Sequence, residues 1–278
     1  MTTDAGATPA TVADVVRELE RRYPPRTAQS WDRVGLVVGE PAATVRRVLF
    51  VVDCVPETVA EAVEREVDLM VAHHPLLLRG VHSVATTDYK GAVVHQLIRA
   101  GIALYVAHTN ADSASPGVTD ALAARLDLAD VRQLVADDAH PGRIGRLPHP
   151  MTVAQLAAYV ADRLPATAAG VRAAGEPDRV VSTLALSGGA GDDFLRDAAG
   201  AGVDAYLTAD LRHHPASEHL AGGGPVLIDA AHWATERPWL DLVAGQLSAV
   251  LPIEPVVSDL VTDVWTVQVP SPKKESRS

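Results

Sequence analysis

The sequence is poor in cysteine, in basic charge and in long apolar runs, and each shortage excludes something. Cys54 is the only cysteine in 278 residues, so there is no intrachain disulfide framework, and a reducing, cytoplasmic setting is expected. Lysine and arginine number 24 against 35 acidic residues, a net charge of -11. With no basic run before the tail, neither nucleic acid nor an anionic membrane is an expected partner. No apolar run approaches membrane-spanning length and no leader pattern opens the chain. A P-loop, G-x-x-x-x-G-K-[ST], is also missing.

What is present is organised around VDLMVAHHPLL, from Val67 to Leu77. Its apolar run is too short for a buried helix and rich in strand formers, so it predicts a buried strand ending at His73 and His74. In α/β sheets that carboxyl end is where ligands collect. Two adjacent imidazoles are metal donors, or else a satisfied polar pair. Hydrophobic residues at 47% are enough for a full core.

Reading onward predicts an alternation of strands and helices. Residues 1–10 and the PSPKKESRS tail are expected to be disordered. Thr11 caps a helix with Val12, Val15, Val16 and Leu19 on one face. Trp31 is expected in the core, and Asp32 as a cap or a site residue. Strands are expected at Arg47 to Asp53, before His108, at Val180 to Leu186, at VDAYLTA and at PVLIDA. A long helix from Trp233 to Val250 and strands around Val256 and Trp265 complete the α/β fold. Cys54 is expected to be a small buried hydrophobe.

The same order occurs twice. A Val-Asp pair precedes His-His-Pro at Val67-Asp68 and again at Val203-Asp204. GIALYVAHTNAD then sets His108 and Asp112 after a strand, as GPVLIDAAHWATE sets His232 and Glu236. The repetition predicts two related α/β lobes facing one another, 1–128 with 245–270 and 129–244, leaving 271–278 as tail. A carboxylate four residues after a histidine shares its face once the chain turns helical. His73, His74, His108, Asp112, His232 and Glu236 thus make six candidate ligands, suited to two ions about 3.5–4 Å apart. Mixed nitrogen and oxygen donors accept zinc, iron, manganese or cobalt. His213 and His214 echo the first pair, but the six already fill two sites. Gly188, Gly189 and Gly191, in GGAGDD, are a tight turn or an anion cradle.

At SWDRVGLVVG, VAHHPLL, AHTNAD, GRIGRL, SGGAGDD, LTADLRHH and AHWATE the chain resembles the NIF-three-like dinuclear-metal family, also catalogued as GTP cyclohydrolase type 2 homologues. The resemblance implies two metals in an interlobe cleft, with the same six residues as ligands, and a toroidal homohexamer. It also implies the short form, without the inserted domain of longer members. Arg33, where the family often has Asn, and Ala209, where many members have Gly, depart from the pattern. The function expected is a metal-dependent hydrolase of an unknown small molecule, using a hydroxide that bridges two divalent ions, with no catalytic residue beyond the ligands. The alternative is a noncatalytic metal carrier or regulatory scaffold.

Overall fold

The computed structural model describes residues 9–137 and 139–269. The disorder expected of residues 1–8 and of the tail falls outside that range. Ala10, however, is buried and pairs with Val45, so the ordered chain begins earlier than expected. Thr11 caps the helix Val12–Arg22 in a capping box with Asp14, and Val12, Val15 and Leu19 face inward.

The fold is mixed α/β, built on two main sheets. The first has five strands in the order Glu254–Val257, Arg47–Val51, Leu69–Ala72, Ala103–Val106 and Gly35–Val38. The first four are parallel; the last is an antiparallel edge. The second has six, in the order Ala129–Gln133, Arg143–Thr152, Val180–Ala190, Ala205–Ala209, Val226–Ala230 and Val171–Ala174. Its central three are parallel, and Val171–Ala174 is its antiparallel edge beside Val226–Ala230.

Every residue of Leu69–Ala72, Ala103–Val106, Ala205–Ala209 and Val226–Ala230 is buried. Strands covered on both faces need unbroken apolar runs, which is why these segments do not alternate. One core joins Phe50, Val71 and Tyr105 of the first sheet to Leu184, Leu207 and Ile228 of the second. Side chains so buried each contribute about 1.5–3 kcal/mol, and their continuity fixes the strand ends of both sheets relative to one another.

Four expectations need correction. The strand at Val180 continues through Ala190, so Gly188 and Gly189 lie in a bulged strand end, with a register shift after Leu186. Helix resumes only at Asp192–Phe194 and Leu195–Gly200. The long last helix is two, His232–Glu236 and Pro238–Ser248, because Pro238 has no N–H and suits a first helical turn. No strand forms around Trp265. Trp31 is 54% exposed, its ring edge-on to His108 instead of packed in the core.

Candidate metal centre

Each site residue stands where a buried strand ends. His73 and His74 follow Leu69–Ala72, and their backbone N–H groups extend the ladder to the carbonyls of Val51 and Val52. His108 follows Ala103–Val106 and caps the short helix Thr109–Ser113, which carries Asp112. His232 and Glu236 open and close the five-residue helix after Val226–Ala230. The carboxyl ends of both sheets therefore meet at one place, the crevice position of an open α/β sheet.

The six side chains expected as ligands come together there. His232 Nε2 lies 3.0 Å from Glu236 Oε1 and 3.3 Å from His74 Nε2. His74 Nε2 lies 3.1 Å from Glu236 Oε2. His73 Nε2 is 3.5 Å from Glu236 Oε1 and 3.6 Å from Asp112 Oδ1. The ring of His108 stands 5.2 Å from that of His73 and 5.5 Å from that of His74. Two groups, His73–His74–His108 and His74–His232–Glu236, each bring one ligand atom per residue within 4.8 Å of the others. His213 and His214 are exposed at the start of the helix His213–Ala221 and belong to neither group.

Every imidazole is oriented through Nδ1. His73 donates to the Ala107 carbonyl at 2.9 Å, His74 to Asp53 at 2.7 Å, His108 to Asp32 at 2.9 Å and His232 to Asp210 at 2.7 Å. With Nδ1 committed, each Nε2 is turned toward the cluster, the arrangement metal-binding histidines use. Asp53 and Asp210 were not singled out in the sequence. A lone aspartate after a strand has no spacing signature, although both follow strand ends. Asp32, expected as a cap or a site residue, accepts both from His108 Nδ1 and from the Thr109 N–H that opens the short helix.

The electrostatics of the bare chain are those of packed, opposed charges. Burial alone would lower the pKa of His74, but Glu236 and Asp53 outweigh it and raise it to about 10. Burial likewise opposes charge on His232, which Glu236 and Asp210 raise to about 11. Burial pushes Asp112 up to about 7 against the pull of His108. It would also raise Glu236, yet His74, His232 and His73 hold that carboxyl well below its usual range.

A metal fits these residues. His73 Nε2, Asp112 Oδ1 and Glu236 Oε2 are buried without a hydrogen-bond partner, a costly state that coordination would relieve. At 3.1 Å, Glu236 Oε2 and His74 Nε2 are close but lack hydrogen-bond alignment. Gly189, at φ +66°, gives clearance: a Cβ there would come within 2.5 Å of Glu236 Oε1 and 3.2 Å of His232 Nε2. Gly191 is closed in by Ser187, Tyr206 and Thr208. A cavity of about 700 Å³ adjoins the cluster, reaching His74 and His232, with Asp53, Arg172, Asp210, Asp229, Trp233 and Trp265 among its walls.

Fold and site together define an α/β protein with a candidate metal centre of histidines and carboxylates at the strand ends. The sequence pattern of the Duf34/NIF3 (NGG1p interacting factor 3) family matches residues 10–263, and the chain belongs to that family. It is 54% identical to a Streptomyces coelicolor protein named GTP cyclohydrolase 1 type 2 homolog, covering 94% of this chain and 95% of the relative. A Mycobacterium tuberculosis protein of the same name is 36% identical, with 92% of this chain and 97% of the relative covered. That alignment runs to 370 positions against the 278 residues here, so the mycobacterial protein carries sequence this chain lacks. Among solved structures, a Bacillus cereus protein related to NIF3 superposes with a TM-score of 0.86 at 23% identity, over 94% of this chain and all of the other. Among the described residues no helix is long and apolar enough to cross a membrane.

Proposed function

We propose that the chain is a dinuclear metal-dependent hydrolase of a small molecule, with His73, His74, His108, Asp112, His232 and Glu236 as ligands. One observation carries this reading: the buried, unpartnered His73 Nε2 and Asp112 Oδ1, 3.6 Å apart within the histidine cluster. Two divalent ions bound there, of zinc, iron, manganese or cobalt, would supply Lewis acidity and lower the pKa of water. The chain's own part is to hold four imidazoles by their Nδ1 atoms, to keep Glu236 ionised between them, and to admit substrate through the cavity. His73 is fully buried, whereas His74 and His232 border the cavity, so substrate approaches from their side. Arg172, held by Asp229 through Nε at 2.7 Å, is the one arginine or lysine among the described lining residues and suits an anionic substituent. The relatives' name points to a nucleotide such as GTP.

The matching edge-and-three-parallel-strand arrangement of the two sheets supports a duplication into related lobes, 1–128 with 245–270 and 129–244. Exposed apolar side chains at Trp31, Val264, Trp265 and Val267 support self-association, which the family resemblance puts at six copies.

The test is to load the purified protein with each of the four metals and offer it GTP, other nucleotides, phosphodiesters and cyclic amides. Turnover that depends on metal and is lost in His108→Ala is expected; no turnover of any compound with any metal overturns the hydrolase. A metal carrier is the second reading, favoured by the four carboxylates, Asp53, Asp210, Asp229 and Asp263, along the cavity wall. Metal that resists an equimolar chelator for hours removes it.

A further inference from the structure

Beyond Val257 the chain leaves the first sheet and crosses to the second without regular secondary structure. At its start, Ser258 N donates to the Phe50 carbonyl at 3.0 Å and its hydroxyl to Glu61 at 2.5 Å. At its end, the Gln268 amide nitrogen, in the orientation that donates, lies 2.6 Å from the Ala168 carbonyl and 2.9 Å from that of Ala169. Between these anchors Thr262, Asp263, Val264 and Trp265 line the cavity beside the metal centre. Val264, Trp265 and Val267 are 81%, 66% and 76% exposed, so apolar burial contributes little to this course. Polar contacts set it.

One of those contacts reaches the metal centre. The Thr262 hydroxyl donates to Asp53 Oδ2 at 2.5 Å, while Asp53 Oδ1 accepts from His74 Nδ1 at 2.7 Å. The same device occurs once more in the site: the Thr109 hydroxyl donates to Asp32 Oδ2 at 2.5 Å, and Asp32 Oδ1 accepts from His108 at 2.9 Å. A carboxylate held on one oxygen only can swing about its last torsion and carry the imidazole with it. Anchored on both, it fixes the plane of the ring. For Asp32 the second anchor is a neighbour of the ligand in sequence; for Asp53 it comes from 209 residues away.

We propose that Thr262 is a positioning residue for the candidate metal centre, locking His74 through Asp53 and tying the segment 258–268 to the occupancy of the site. This rests on the metal-binding reading above. The coupling is reciprocal by thermodynamic necessity: whatever the segment adds to metal affinity, metal adds to the order of the segment.

The test uses the full chain with Thr262→Val, which keeps the shape and removes the donor, and Thr262→Ser, which keeps the donor. Cobalt(II) binding is titrated by its absorption bands, and hydrogen exchange of residues 259–268 is followed with and without cobalt. The valine variant is expected to bind cobalt up to about tenfold more weakly, the lower end of what such outer contacts contribute, and the serine variant to bind as the parent does. Cobalt is expected to slow exchange across 259–268 in the parent and in Thr262→Ser, but not in Thr262→Val. A merely structural threonine would lower the melting points of bare and loaded protein equally and leave affinity alone. Identical titrations for parent and Thr262→Val overturn the proposal while the metal site stands. A parent chain that takes up no cobalt overturns the metal-binding reading and this inference with it.

Discussion

The chain spells His-His-Pro twice, and the two copies have opposite fates. His73 and His74 sit in the candidate metal cluster, the first fully buried, whereas His213 and His214 are exposed on a helix. The reason is register. In both halves an aspartate at the start of a strand caps the neighbouring strand: Asp68 accepts from the N–H groups of Arg46 and Arg47, and Asp204 from those of Ser182 and Thr183. Counted from that shared anchor, His73 comes five residues on (73 − 68) but His213 nine (213 − 204). The residue of the second half that corresponds to His74 is Asp210, six after its aspartate as His74 is six after Asp68. Asp210 takes φ +57° and holds His232. A motif's position relative to the strand end decides its role, and its spelling does not.

The largest loss is expected at Glu236, the carboxylate that both groups of histidines face. Glu236→Gln leaves the imidazoles of His74 and His232 without their buried counter-charge. These are 25% and 31% exposed, so the expected loss is about 2–4 kcal/mol, below that of a fully buried pair. Thermal or urea unfolding of the metal-free protein reads it, and elemental analysis is expected to find less metal per chain. Next in size are Asp53→Asn and Asp210→Asn, each expected to weaken metal binding about 10–100-fold with little change in fold, measured by competition with a chromophoric chelator. Equal effects from the two would bear out that Asp53 and Asp210 play the same orienting part, one on His74 and one on His232, at a single centre.

Acidity gives a third test. Metal must displace protons from His74 and His232, whose pKa values are raised to about 10 and 11, and from Asp112, raised to about 7. Affinity is therefore expected to climb with pH from below 7 toward 10, with protons released on binding. Without metal the sign reverses for the imidazoles. Their raised values stabilise the fold fully below about 6.5 and lose that contribution as pH passes 10 to 11. Calorimetry in buffers of different ionisation enthalpy counts the released protons. At Gly189, alanine meets both a left-handed backbone and Glu236 Oε1, and about 1–2 kcal/mol of destabilisation is expected from the backbone alone. The smallest effect belongs to the second pair: His213→Ala with His214→Ala is expected to change stability by less than about 0.5 kcal/mol and metal content not at all.

Much of the site was legible because strand ends are legible. Short apolar runs located Leu69–Ala72, Ala103–Val106 and Val226–Ala230, and the His-x-x-x-Asp and His-x-x-x-Glu spacings marked the helical turns after two of them. The orienting carboxylates Asp53 and Asp210 were not legible, because each acts alone through a contact that only the fold creates. Gly188 and Gly189, a tight turn or an anion cradle by sequence, lie in a bulged strand end, because bulges and turns draw on the same glycines. Residue type alone puts Trp31 in the core; the structure sets it at the rim beside His108. In the last helix the break at Pro238 was written in the sequence, and amphipathic periodicity on both sides obscured it.

We propose that one cluster, built from both sheets, holds two ions. Protein purified without affinity tag or chelator, loaded with cobalt or zinc and freed of excess, can be measured for metal per chain alongside His73→Ala and His232→Ala. Two ions per chain are expected in the parent and a clear loss in both variants. A parent holding no metal, or variants that keep the full complement, would contradict it.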